Sequence, residues 1–303
     1  MFWNYNKTGD KMLCNICPRQ CNVDRIVKKG FCSCTNQIKV SRAAPHYWEE
    51  PCISGINGSG TVFFTGCSLK CVFCQNYEIS HYDNGKQVNT TELLKIFDNL
   101  VNSGVHNLNL VTPTHYTEQI INALREFKSP VPVVWNSSGY ECAESLRMLE
   151  GYIDIYLPDI KFYDSAVSLK YSGAENYFEF ASSAVKEMFR QVGNLELDKN
   201  GIARKGLLIR HLVLPGNISQ TFRIFEYVSQ NFPQETSISI MRQYIPFGAA
   251  AKMPPLNRKL TAKEYKLAKR RILELGFENV YFQNAESAEE SFIPQFDYES
   301  IDL

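Results

Sequence analysis

The chain is predicted to fold as an α/β protein, a partial (β/α)6 TIM-like barrel with a small cysteine-rich amino-terminal module. Three observations predict it. From residue 60 onward, short β-rich runs alternate with helical stretches, the rhythm of a parallel sheet joined by crossover helices. Leu207-Leu208-Ile209 and Leu212-Val213-Leu214 are apolar without alternation, as strands buried on both faces are. Nine of the ten cysteines lie before residue 75, which sets the first quarter of the chain apart from the barrel.

The first barrel strand is expected at Thr61–Thr65, with a helix over Thr91–Ser103 after it. Strands at Leu108–Thr112, Val131–Trp135 and Ile153–Leu157 then alternate with helices at Glu118–Phe127, Cys142–Leu149 and Tyr177–Gln191. Leu207–Leu214 and Ser237–Gln243 are the fifth and sixth strands, followed by helices at Thr221–Asn231 and Thr261–Leu275. Asn279–Phe282 reads as a short edge strand. The last helix carries Leu260, Leu267, Ala268, Ile272 and Leu275 on one face and Lys259, Lys263, Lys266, Lys269, Arg270 and Arg271 on the other. That basic side is a solvated face or a dock for an acidic electron donor. Residues 1–58, 59–285 and 286–303 are read as module, barrel and surface tail.

Composition narrows the function. Lys plus Arg equals Asp plus Glu at 32 each, so no broad surface for nucleic acid or anionic membrane is indicated. Apolar residues make up 44% of the chain, enough for a substantial core. The start, Met1-Phe2-Trp3-Asn4-Tyr5-Asn6-Lys7, has no secretory pattern, and no stretch reaches the roughly 18 apolar residues of a spanning helix. A cytoplasmic protein is expected. In that compartment neighbouring cysteines bind metal or do redox chemistry more often than they form disulfides.

Cys67, Cys71 and Cys74 stand in the run Thr65-Gly66-Cys67-Ser68-Leu69-Lys70-Cys71-Val72-Phe73-Cys74. The spacing C-x3-C-x2-C supplies three thiolates to a cubane cluster and no fourth. A [4Fe–4S] cluster so held keeps one iron open for a substrate or cofactor. S-adenosylmethionine has the amine and carboxylate to chelate that iron, and one electron then cleaves its S–C5′ bond. Upstream, Cys14, Cys17, Cys21 and Cys32 make a complete four-thiolate set, C-x2-C-x3-C-x10-C, with Cys34 as an alternative fourth ligand. This set suits a structural zinc or a closed iron–sulfur cluster, and the spacing does not choose between them. Cys34, Cys52 and Cys142 otherwise read as small buried apolar residues.

In parallel sheets the site lies at the carboxyl ends of the strands. There the sequence places Thr112-Pro113-Thr114-His115, Asn136-Ser137-Ser138-Gly139, Asp159-Ile160-Lys161, Arg210-His211 and Arg242-Gln243-Tyr244. Polar groups at successive strand ends, converging on one mouth, are what a polar cofactor requires. The bland alternatives are an inert ion pair for Asp159 and Lys161, a salt-bridged barrel arginine for Arg210, and a capping or packing residue for His115.

The cysteine triplet, with aromatic Phe73 just before its last member, resembles the radical S-adenosylmethionine superfamily. More narrowly, the chain resembles uncharacterised homologues of pyruvate formate-lyase activating enzyme. Pro51–Gly55, Gly58–Ser80, Val111–His115, Trp135–Tyr140, Asp154–Lys161, Arg210–Gly216 and Met241–Pro246 carry that likeness across residues 14 to 285. The resemblance implies that Cys67, Cys71 and Cys74 ligate the cluster and that the Phe73 backbone meets the adenine. It implies cofactor contacts for Asp159, Lys161 and Gln243, and for Arg210 near the methionyl carboxylate. Asn136, Ser137 and Ser138 align with an Asp-Thr-Asn stretch that contacts cofactor and a monovalent cation; the amide at Asn136 departs from that pattern. A second departure is the missing Gly-Gly-Glu element after the second strand, leaving Thr114 and His115 as the polar contacts there.

The implied activity is reductive cleavage of S-adenosylmethionine to a 5′-deoxyadenosyl radical that abstracts hydrogen from a peptide or small molecule. The alternatives are a glycyl-radical activase acting on a partner protein, and a non-catalytic iron–sulfur or metal-stabilised binding protein. A reductant such as flavodoxin or ferredoxin is the expected partner.

Overall fold

The computed structural model describes residues 13–284 together with Pro294, Phe296 and Ile301. The strands are β1 (Lys39–His46), β2 (Ser59–Phe64), β3 (Lys86–Gln87), β4 (Leu108–Val111), β5 (Val133–Ser137), β6 (Ile155–Pro158), β7 (Glu196–Leu197), β8 (Ala203–Leu212), β9 (Ser237–Met241) and β10 (Val280–Phe282). The helices are α1 (Pro51–Ser54), α2 (Tyr77–His81), α3 (Thr90–Asn102), α4 (Thr117–Glu126), α5 (Ala143–Arg147), α6 (Ser165–Ser172), α7 (Tyr177–Val192), α8 (Thr221–Asn231) and α9 (Ala262–Leu273).

One sheet runs β10-β9-β8-β6-β5-β4-β2-β1-β3, with β7 paired beside β8. From β2 to β10 its neighbours pair in parallel. Helices fill each crossover, so the expected (β/α)6 order is present, closed by β10 as a seventh strand. A single cavity touches residues at the ends of β2, β4, β5, β6, β8 and β9, which requires the sheet to curl around it.

Side-chain alternation explains both faces. Val62 and Phe64 of β2, Leu108 and Leu110 of β4, Trp135 of β5 and Ile209 of β8 pack outward into one core shared with the helices. Val134, Ile155, Leu157 and Leu208 point inward and form a separate interior cluster with Ile53 of α1. Every residue of β2, β4, β5, β6 and β9 is buried, as unbroken apolar runs predict. Helix α3 opens on a reciprocal cap: the Asn89 side chain accepts from Glu92 N–H, and Glu92 accepts from Asn89 N–H.

Four features depart from the sequence reading. Residues 39–54, expected within the cysteine-rich module, belong to the barrel: β1 pairs antiparallel with β2, and the short α1 buries Cys52, Ile53 and Ser54. Helix α6 has no counterpart in that reading, nor do the short elements α2, β3 and β7. Leu267, expected on the inner face of the last helix, is 50% exposed, while Tyr265 and Ile272 are the buried residues of α9. Of the tail 286–303, only Pro294, Phe296 and Ile301 fall among the described residues. Phe296 sits edge-on to Phe63 at 5.6 Å, and Ile301 is buried.

Candidate active site at the mouth of the barrel

The loop after β2 carries the cysteine triplet, and backbone bonds from distant elements hold it. Gly66 N–H donates to Ile79 O (2.7 Å) and Val72 N–H to Tyr171 O of α6 (3.0 Å), while Ala250 N–H donates to Val72 O (3.1 Å). Arg19, from the cysteine-rich segment, donates through Nε to Ser68 O at 2.7 Å. Leu69, Cys71 and Phe73 are buried among Tyr140, Phe162, Tyr171, Tyr177 and Tyr244. Phe73 makes edge contacts to Phe162 and Tyr244.

Cys67, Cys71 and Cys74 all line the cavity, whose volume is about 230 Å3. Burial raises all three thiol pKa values, that of Cys67 to about 11, and the Lys161 ammonium works in the opposite direction on each. Cys67 Sγ accepts from Leu69 N–H and Cys74 Sγ from the Ser80 hydroxyl, both at 3.3 Å. Bonds of this kind tune a ligating sulfur. Among the described residues, no three His, Cys, Asp or Glu side chains are gathered as they would be around a single ion. A cubane assigns each thiolate to a different iron, so a set that suits a cluster is wider than one that suits an ion.

Facing the triplet, the inward strand-end groups form one connected network. Arg210 donates from Nε to Asp159 Oδ1 (3.0 Å), from Nη1 to Glu49 Oε2 (2.9 Å) and from Nη2 to Asn136 Oδ1 (2.6 Å). Lys161 Nζ pairs with Asp159 Oδ2. Asn136 Nδ2 closes the circuit on Glu49 Oε1 at 3.0 Å. Burial opposes ionisation of Asp159, yet the charges of Lys161 and Arg210 outweigh it and hold the carboxyl below its ordinary range. Glu50, buried beside Glu49, is shifted the other way by its burial. The network is thus two cations against the carboxylates of Asp159 and Glu49.

Asn136, Ser137, Ser138, Asp159, Lys161, Arg210 and Gln243 all line the cavity with the triplet, as the sequence reading expects. Gln243 sits at its edge, where its backbone carbonyl accepts from Gln75 Nε2 (3.1 Å). Thr114 and His115 are corrections. Residue Thr112 adopts φ +58°, and a single turn of 3-10 helix over Thr114–Tyr116 carries the next side chains away from the cavity. Thr114 donates to Glu141 Oε1 (2.9 Å), and His115 donates through Nε2 to Thr65 O (2.6 Å) behind the cluster loop. His115 is a packing residue, and Thr112 takes the cavity position. His211 likewise faces outward, between Ile160 O and the Thr221 hydroxyl.

The sequence reading missed Glu49 and Glu141. Glu141 is buried and accepts from Trp135 Nε1 (2.9 Å), Ser137 Oγ (2.6 Å) and Thr114, which anchors the back of the β5 turn. In that turn Gly139 has φ +73°, and an added Cβ would meet Asp159 O at 2.4 Å. Gly139→Ala is therefore expected to cost about 1–3 kcal/mol. A urea midpoint unchanged from the parent would show that the turn yields at no cost.

Cys14, Cys17, Cys21 and Cys32 lie outside this cavity, and Cys34 is buried behind Gly66. Cys52 and Cys142 are buried and do not line the cavity.

Comparison with known proteins identifies a 4Fe-4S single cluster domain over residues 55–178, a span that contains the triplet, Asn136, Asp159 and Lys161. The chain is 32% identical over 265 residues to the uncharacterized protein MJ0674 of Methanocaldococcus jannaschii, covering 84% of this chain and 72% of that one. Similar solved structures include SuiB of Streptococcus suis, with TM-score 0.47 and 14% identity, covering 73% of this chain and 47% of that one. HydG, a maturase of the [FeFe]-hydrogenase, matches with TM-score 0.48 and 14% identity over 71% of this chain and 48% of its own. Methylornithine synthase PylB matches with TM-score 0.48 and 16% identity over 71% of this chain and 60% of its own. The chain thus spans about half the length of the solved structures it matches.

Proposed function

We propose, from the premise that the chain belongs to one family with the uncharacterized protein MJ0674 and carries a 4Fe-4S single cluster domain, that its barrel is of the radical S-adenosylmethionine type and cleaves S-adenosylmethionine reductively. The radical so made would take a hydrogen atom from a peptide or small-molecule substrate. One observation carries this reading. Three thiols of a single loop, with no fourth lining the cavity among the described residues, share it with a cationic and carboxylate network at the strand ends.

The residues present fit the group. Cys67, Cys71 and Cys74 would hold a [4Fe–4S] cluster, whose chemistry when bound is to deliver one electron to S-adenosylmethionine and split its S–C5′ bond. Lys161 sets a positive charge beside the thiolates and favours their ionised form. Arg210 has its Nε and both terminal nitrogens engaged by Asp159, Glu49 and Asn136, so its role is to fix those groups rather than to grip the cofactor alone. Asp159 and Asn136 then present fixed polar atoms to an amine or ribose. Phe73, with Phe162 and Tyr244, keeps water from the back of the loop.

A peptide or small molecule is favoured over a glycyl-radical partner because the position after β4 offers Thr112, not a carboxylate, to the cavity. The electron donor would be a flavodoxin or ferredoxin, in keeping with a cytoplasmic enzyme. No helix among the described residues is long and apolar enough to cross a membrane.

The test is anaerobic. Reconstituted protein, dithionite and S-adenosylmethionine are expected to yield 5′-deoxyadenosine, counted by chromatography. A reducible cluster that yields none would overturn the reading in favour of electron transfer.

A further inference from the structure

We propose that Cys14, Cys17, Cys21 and Cys32 hold a second, closed iron–sulfur cluster, packed directly against the loop that carries Cys67. This does not depend on the S-adenosylmethionine reading. It rests on how the amino-terminal segment is shaped and on what it touches.

The segment folds back around its cysteines. Cys14 N–H donates to Val23 O (2.9 Å) and Asn22 N–H to Cys14 O (3.0 Å), so Cys14 is paired alongside the chain that leaves Cys21. Between them Gln20 N–H bonds Cys17 O, and both Gln20 and Asn22 take positive φ, at 42° and 50°. Such conformations are costly for side-chain-bearing residues and persist where something else fixes the loop. Cys21 Sγ and Cys32 Sγ each lie 3.5 Å from where a Cβ would stand on Gly30, so both sulfurs flank one glycine. Phe31 N–H donates to Cys21 Sγ at 3.2 Å. This is the backbone-to-sulfur bond that a ligating thiolate accepts.

Apolar burial does not account for the fold. Leu13, Ile26, Val27 and Phe31 are exposed, while Cys17, Pro18, Cys32, Cys34 and Ile38 are the buried apolar residues of 13–38. None of the cysteines is in a disulfide. A polar segment of this size needs a staple, and metal binding supplies folding energy to such segments.

What the segment lies against favours a cluster over zinc. It packs on the loop of Cys67, Cys71 and Cys74, within a matched 4Fe-4S domain, and its own set has the fourth thiol that closes a cubane. Cys34 is not that fourth ligand. Its thiol donates to Thr65 O at 3.2 Å and fills the space beneath Gly66.

The two sites share a wall. Arg19, within the Cys17–Cys21 turn, stacks on Phe31 (3.8 Å) and donates to Ser68 O of the triplet loop. Lys70 Nζ reaches Ser33 Oγ (3.2 Å), and an added Cβ on Gly66 would meet Cys32 O at 2.5 Å. The second cluster would order the loop that binds the first.

The experiment uses the full chain with Cys67→Ala, Cys71→Ala and Cys74→Ala combined, which leaves the amino-terminal segment untouched. After anaerobic reconstitution, about four irons and four labile sulfides per chain are expected to remain, with a dithionite-dependent paramagnetic signal. Adding Cys34→Ala should leave these counts in place, and adding Cys17→Ala with Cys21→Ala should abolish them. About one zinc per chain without sulfide, or no bound metal at all, would overturn the proposal. Because the triple variant decides alone, poor folding of the Cys17 and Cys21 variant does not blunt the test.

Discussion

Cys71→Ala should reduce 5′-deoxyadenosine formation to the level of a protein-free control. Loss of an outer partner of a metal ligand costs roughly 10–100-fold, and loss of a ligand itself costs more. Cys71 is the most buried of the three, packed between Leu69 and Phe73 and close to the Lys161 charge. Among the described residues its sulfur makes no hydrogen bond, so the alanine variant should fold and the effect should read as chemistry. Iron per chain is expected to fall by about four, the content of one cubane. Cys52→Ala and Cys142→Ala are the matched controls. Both thiols are buried and neither lines the cavity, Cys52 packing in one cluster with Ile53 and Leu157, so each should behave as a small apolar group and leave nucleoside formation unchanged. Parent-level cleavage by the Cys71 variant would sink the assignment of the triplet.

The barrel and the triplet were legible because each leaves a strong local signal. Unbroken apolar runs of four to eight residues mark doubly buried strands, and three cysteines at fixed spacing mark one corner of a cluster. Asn136, Asp159, Lys161 and Arg210 followed, since a polar residue just past an apolar run points to a strand end. Glu49 was hidden for a physical reason. It reaches the cavity from the turn between β1 and α1, and its partner Arg210 lies 161 residues away, a separation no local pattern reports. Strand β1 reads as a mixture of basic and small residues because it lies toward the sheet margin and is only partly buried. Helix α6, Ser165–Ser172, buries Ser168, Tyr171 and Ser172 and so shows no apolar stripe. Thr114 and His115 were misplaced because position along a chain does not reveal direction. The positive φ at Thr112 and the 3-10 turn after it reverse which side chains face inward.

Arg210→Met should destabilise the protein by about 3–5 kcal/mol, the cost of removing one partner from a buried ionic network. Methionine nearly matches the aliphatic stem, so packing alone would cost far less. What remains is Asp159 with Lys161 alone, and Glu49 with only the weak donors Asn136 and Asn109. Two observations then separate charge from fork geometry. Arg210→Lys keeps the positive charge but has one ammonium where the guanidinium donates in three directions, to Asp159, Glu49 and Asn136. It should therefore recover only part of the urea midpoint while loosening Asn136 at the cavity wall. Combining Arg210→Met with Glu49→Gln removes one stranded carboxylate and should recover stability relative to Arg210→Met, a coupling that independent sites would not show. If Arg210→Met unfolds at the parent midpoint, the network is not holding the barrel interior. If Arg210→Lys instead retains full stability and full affinity for S-adenosylmethionine, charge alone suffices and the three-way fork is incidental.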